Sequence, residues 1–136
     1  MRRDNKVDSQ YKELFEKNLE LTIRIEMLEF KTQLLFDNSR TSRLLFEYDI
    51  TQTQYRNLMD LLDKYRKMLD KAESVSSSKF ESEVYELIPE LKGDYHFCEF
   101  FSQSLMEDGR WEEVFPALYG EMQKYKYYME NRKQGD

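Results

Sequence analysis

His96, Cys98 and Glu99 are the residues whose types could do chemistry together: an imidazole, a thiol and a carboxylate within four positions could hold a metal ion or activate a nucleophile. The chain owns one His and one Cys. That excludes a disulfide framework, a Cys-rich zinc site and a double Glu-x-x-His di-iron site, each of which needs more ligands. On a helix, positions 96 and 98 lie about 200° apart, so Cys98 faces away from the one imidazole that could activate it. His96 and Glu99 do share a face, but two ligands do not close a site without carboxylates from elsewhere. Cys98 therefore reads as a small core residue and His96 as a structural or surface residue. No Gly-rich phosphate loop, Gly-x-Ser-x-Gly elbow or recognisable carboxylate pair is present. No catalytic, cofactor-binding or metal-ligating residue and no cofactor is expected, and an enzyme centred on His96 is the least favoured class.

The elements around these residues are helical. In 136 residues there are 4 Gly and 2 Pro, and no segment alternates with a period of two, so the expectation is one all-α domain of about five to six helices. A long helix is read over 9–37 and a short one over 40–48, after the turn-forming Asp37, Asn38 and Ser39. Thr51 and Gln54 form a capping box opening a helix over 51–73, with Tyr55, Leu58, Met59, Leu62, Tyr65 and Leu69 on one face. The Ser-rich stretch 74–78 reads as a mobile connection. A second capping box at Ser78 opens a helix over 79–92 with the stripe Phe80, Val84, Leu87, Ile88 and Leu91, closed near Pro89 and Gly93. Asp94 caps a helix over 94–108 that buries Phe97, Phe101 and Leu105. A last helix over 110–131 carries Trp111, Val114, Phe115, Leu118, Tyr119, Met122 and Tyr125, with a kink at Pro116. Residues 1–8 and 132–136 have little to bury and are expected to be disordered or frayed.

The first helix has a pattern of its own. Leu14, Leu21, Leu28 and Leu35 recur every seven residues, with Tyr11, Asn18, Ile25 and Thr32 between them, which is a heptad with a weak second seam. Such a helix, about 42 Å long over 28 residues, exceeds the width of a small domain and needs a partner for its N-terminal half. Leu14, Leu21, Ile25, Leu28 and Leu35 are therefore expected to join copies of the chain into a homo-oligomer, a dimer being favoured. Asn18 and Thr32 would cost stability and help fix the register.

Charge supplies a second feature. Lys and Arg number 21 and Asp and Glu 27, a net of −6, which disfavours a general nucleic-acid binder. The surplus is uneven: between Phe80 and Glu121 only Lys92 and Arg110 oppose eleven carboxylates. Part of this is ordinary helix design, with acids near first turns. Glu107, Asp108, Glu112 and Glu113 are the candidate surface for a basic protein partner. Lys124, Tyr125, Lys126, Tyr127 and Tyr128 interleave bases with aromatics, as single-strand binders do, but Tyr125 and Tyr128 continue a buried stripe, so direct nucleic-acid binding stays disfavoured. No run approaches the roughly 18 apolar residues of a membrane helix, and Met1 to Ser9 does not read as an export signal. With its lone Cys98 the chain is expected to be cytoplasmic, with no membrane partner.

Three stretches carry a resemblance. Arg24-Ile25-Glu26-Met27-Leu28-Glu29-Phe30, continuing to Gln33-Leu34-Leu35, resembles the opening of the YhaI-like family, small uncharacterised helical proteins from Bacillus and its relatives. Tyr48-Asp49-Ile50-Thr51 and the helix after it resemble that family's second block. Phe97 to Met122, notably Leu105-Met106-Glu107-Asp108-Gly109-Arg110-Trp111-Glu112-Glu113-Val114-Phe115, resembles its closing hairpin. The likeness runs from about Arg24 to Lys124 and rests on apolar patterning and a helix turn. It implies a compact all-helical bacterial domain of unknown function and carries over no site residues. The chain departs from it in the extension Met1 to about Ile23 and in the aromatic C-terminal tail. The turn Gly109 to Glu113 also resembles a tetratricopeptide hairpin, but it occurs once where stacked repeats need about three.

The expected function is thus a non-enzymatic protein-protein interaction module that self-associates and offers its acidic surface to an unidentified protein. The alternative is an acidic inhibitor, of the kind phages encode, that captures a nucleic-acid-binding or defence protein by presenting carboxylates in place of phosphates.

Overall fold

The computed structural model describes the backbone of residues 2–134 and the side chains of residues 5–132. Every regular element among them is helical: α1 (Arg2–Asp37), α2 (Arg40–Glu47), α3 (Gln52–Asp70), α4 (Ser77–Leu87), a 3₁₀ turn (Pro89–Leu91), α5 (Tyr95–Glu107), α6 (Val114–Tyr119) and α7 (Gln123–Gln134). The fold is all-α, as the patterning implies. No helix among the described residues is long and apolar enough to cross a membrane.

With no Gly or Pro to interrupt it, α1 continues to Arg2, so residues 2–8 are helical where disorder is expected from their composition; Met1 lies outside the described residues. At 36 residues it is about 54 Å long. It ends where Asn38 takes a left-handed φ of 51° and donates its N–H to the Leu34 carbonyl at 3.0 Å. Ser39 then caps α2, accepting from the Ser42 N–H at 3.0 Å.

The Thr51 capping box forms in both halves: Thr51 Oγ1 accepts from the Gln54 N–H at 3.1 Å, and Gln54 Oε1 accepts from the Thr51 N–H at 3.0 Å. Its helix buries Leu58, Leu61, Leu62 and Tyr65. The second cap differs from expectation. Ser76, not Ser78, opens α4, accepting from the Lys79 N–H at 3.3 Å, so Ser77 and Ser78 are helical and the connection is shorter. A run of serines offers several equivalent caps, and the need to aim Phe80 and Val84 into the core selects among them. The helix expected over 79–92 is also two elements. Pro89 drives Ile88 out of helical geometry, to φ −134° and ψ 82°, and the chain resumes as the 3₁₀ turn. Gly93 then supplies the left-handed residue, at φ 87°.

α5 is capped by Asp94 and buries Phe97, Cys98, Phe101 and Leu105 as read from the sequence, with Met106 in addition. It closes through Gly109, at φ 76°, with the Arg110 N–H donating to Leu105 at 2.8 Å and the Gly109 N–H to Met106 at 3.0 Å. The single helix expected over 110–131 is absent: residues 110–113 form a turn, α6 follows, and the chain turns again before α7. Pro116 does not make the break, because it lies in the first turn of α6, where its missing N–H has no partner to lose. The break follows Gly120, which still has helical backbone angles and donates its N–H to the Pro116 carbonyl at 3.0 Å; a Cβ there would stand 2.5 Å from that oxygen, a close approach only glycine permits. α7 runs to Gln134; the last two residues of the tail expected to fray lie outside the described residues.

α5 is the central element, packed against α2, α4 and α6, while α3 closes the array against α4 and α6. Aromatic rings fill the interior. Tyr65 meets Phe80 edge-on at 5.2 Å, Tyr48 meets Phe97 at 4.9 Å, and Phe115 touches Tyr119, Tyr125 and Tyr128.

Candidate functional site

The candidate site is the outer face of α1. Its C-terminal third is fixed to the domain by Phe30 and Leu34, 6% and 7% exposed, with Phe30 against Tyr55. Lys31 reinforces the joint by pairing with Asp49 and lying over the Phe46 ring, and Ser42 donates to the Asp37 carboxylate. That bond and the neighbouring Ser39 hydroxyl hold the Asp37 carboxyl below its ordinary range. The seam residues point elsewhere. Leu14, Leu21 and Ile25 are more than half exposed, and Leu28 and Leu35 are each 62% exposed although they flank the buried pair. At 100° per residue, Ile25, Leu28, Thr32 and Leu35 stand roughly 100–180° around the axis from Phe30 and Leu34. The seam and the docked face are therefore opposite sides of one helix.

Two features of this surface extend beyond the heptad leucines. Val7 continues the seven-residue series one step toward the N-terminus, where the charged composition of residues 1–8 obscures it. Phe15, Leu19 and Ile23 form a second exposed apolar row, spaced by four, that prolongs the domain-facing side past the end of the domain.

The carboxylates of the acidic segment are mostly occupied. Asp108 accepts from the Thr41 N–H at 2.9 Å and from its hydroxyl at 2.7 Å, joining α5 to α2. Glu107 takes the Tyr128 hydroxyl at 2.6 Å and pairs with Arg40 at 3.0 Å. Glu113 pairs with Arg66 at 3.0 Å, and Glu112 stays exposed beside Gly109. Of the four residues read as a partner surface, three thus hold helices together. The same rule runs through the domain: Tyr65 donates to Glu83 at 2.7 Å, Tyr119 to Glu81 at 2.8 Å and Tyr125 to Glu99 at 2.8 Å. Burial raises the pKa of each tyrosine, and the carboxylate that accepts its hydrogen bond raises it further. Burial disfavours the Glu83 anion, but hydrogen bonds from Lys64 and Tyr65 outweigh it and leave its pKa lowered. Glu81, Glu83, Glu99, Glu107 and Glu113 thus face tyrosine hydroxyls or bases from other elements.

Cys98 faces away from His96 and Glu99, as helix geometry requires. Cys98 is buried, and burial, followed by the Glu81 charge, pushes its thiol up to about 12, well away from a reactive thiolate. Glu99 is buried too, which its charge concealed in the sequence; it takes Lys124 at 2.7 Å besides Tyr125. His96 is exposed, its Nδ1 3.9 Å from Glu99, and lies between the Tyr95 and Phe100 rings. Among the described residues no three His, Cys, Asp or Glu side chains converge on a metal position. In the tail, Lys124, Tyr125 and Tyr128 are tied to the domain by these bonds, while Tyr127 stands in solvent. Trp111, at a left-handed φ of 45°, donates its indole N–H to Asp63 at 2.8 Å and is flanked by the Arg66 and Arg110 guanidiniums. Comparison of the chain with models of known protein families, with curated proteins and with solved structures finds no match.

Proposed function

We propose that this chain is a non-enzymatic interaction module that self-associates through α1 and presents its helical domain to a protein partner. The observation that carries the reading is the exposed seam of Leu14, Leu21, Ile25, Leu28 and Leu35 on a helix whose opposite face is already docked. A row of large apolar side chains this long is costly to leave in water, at roughly 25 cal/mol per Å², and a second copy offers a matching row. A cytoplasmic setting and kinship with the YhaI-like proteins belong to the same proposal. The inhibitor reading draws on Glu107, Asp108, Glu112 and Glu113, of which Glu107, Asp108 and Glu113 are already bonded to other described residues, so it stands second.

The test is the solution mass of Leu21→Asp with Leu28→Asp beside that of the intact chain. Both side chains lie outside the core, so the variant keeps the melting transition of the domain while its mass falls to that of one chain. Equal masses for variant and intact chain would remove the seam from the account.

A further inference from the structure

Resting on that reading, we infer that the second copy lies parallel and in register, so that two α1 helices pair along their outer faces with both domains at one end. With Leu14, Leu21, Leu28 and Leu35 as one core position, Tyr11, Asn18, Ile25 and Thr32 are the other. A β-branched Ile25 there, with leucines at the alternate position, is the pattern of a two-stranded parallel coil.

Two further residue sets choose the direction. In a parallel pair Asn18 meets Asn18 of the second copy, and each amide finds a donor and an acceptor in the other. In a fully overlapped antiparallel pair Asn18 meets Leu28, which buries two unpartnered amides. The flanking charges agree. Arg24 and Glu29 are five residues apart on opposite borders of the seam, the separation that brings an arginine to a glutamate across a parallel pair. The antiparallel arrangement instead sets Arg24 against Arg24 and Lys17 against Lys31, like charges in both cases.

Phe30 and Leu34 place the domain on the side of α1 away from the seam, so in the pair each domain stands on the outer flank of its own helix. Pairing leaves Leu19 and Ile23 uncovered, while Phe15, two heptads before Glu29, flanks the seam, so the paired stalk keeps a small apolar surface of its own.

Lys12→Cys and, separately, Gln33→Cys, each carrying a nitroxide label, test the direction by pulsed dipolar spectroscopy. Both positions are exposed on α1 and off the seam, and the buried Cys98 leaves the native chain as the unlabelled control. Parallel pairing gives a short separation of about 20–30 Å at both positions, set by helix spacing and label length. An antiparallel pair separates the Lys12→Cys labels by roughly 33 Å along the axis alone, 22 residues at 1.5 Å, and that result overturns the orientation while leaving self-association intact. A mass of three chains or more overturns the two-stranded geometry. No dipolar coupling together with a single-chain mass overturns both the orientation and the proposed function.

Discussion

Above pH 10 the domain is expected to lose stability steeply, with roughly 4 kcal/mol gone by about pH 11. The cause is the set of buried tyrosines whose hydroxyls donate to carboxylates: Tyr65 to Glu83, Tyr119 to Glu81 and Tyr125 to Glu99. In the folded chain their pKa values are raised from 10.0, first by burial and then by the carboxylate each faces. The folded state keeps these protons where the unfolded state releases them. The contribution is therefore complete below pH 10 and falls as pH rises toward the folded values. Each group adds a slope of about 1.4 kcal/mol per pH unit once the unfolded chain ionises, and the three together about three times that. The Cys98 thiol, raised to about 12, adds a change of the same sign. Against a typical total of about 5–15 kcal/mol, this is enough to unfold the domain within one to two pH units. Urea melts at pH 8, 10 and 11, with tyrosinate absorbance followed alongside, measure it. A midpoint that holds steady to pH 11 would mean that these hydroxyls are not buried against acids.

Phe115→Ala carries the largest expected cost of a single substitution, about 3–5 kcal/mol. Its ring is fully buried, meets Tyr125 edge-on at 5.0 Å and Tyr128 at 6.3 Å, and lies 5.8 Å from Tyr119. Truncation opens a cavity between α6 and α7 and removes the surface on which the C-terminal helix rests, so protection of α7 amides from exchange falls before the global transition. Phe36→Ala is the control. That side chain is 93% exposed at the end of α1, and its removal is expected to change stability by less than about 0.5 kcal/mol. Similar losses for the two variants, read from urea midpoints, would contradict the packing described for α6 and α7.

These two residues show why some of the molecule was legible in the sequence and some was not. Both are phenylalanines in apolar stretches, and only the helix face each occupies separates a core position from an exposed one. Periodicity located Phe97, Phe101, Leu105 and the α3 stripe, because a buried face on a regular helix repeats at three and four residues. The caps at Thr51, Asp94 and Gly109 were legible for a similar reason: each rests on local bonds between residues three to five apart. Where the outcome depended on distant groups, the sequence was silent. The unusual backbone of Trp111 accompanies a bond to Asp63, 48 positions away. The acidic segment was misleading in the same way. Glu81, Glu83, Glu99 and Glu107 read as surface charge because their tyrosine donors lie 18 to 38 residues away in the chain. The heptad was visible, but that its leucines lie opposite the docked Phe30 and Leu34 follows only once the domain is in place.

The most direct test of the account is the mass of the intact chain by sedimentation equilibrium over a wide concentration range in moderate salt. Among the described residues nothing covers the outer face of α1, and its pattern is self-complementary, so the expected result is a species of two chains that persists on dilution. A single-chain mass at every concentration would contradict it, because the seam of Leu14, Leu21, Ile25, Leu28 and Leu35 would then stand open to water with no second copy to cover it.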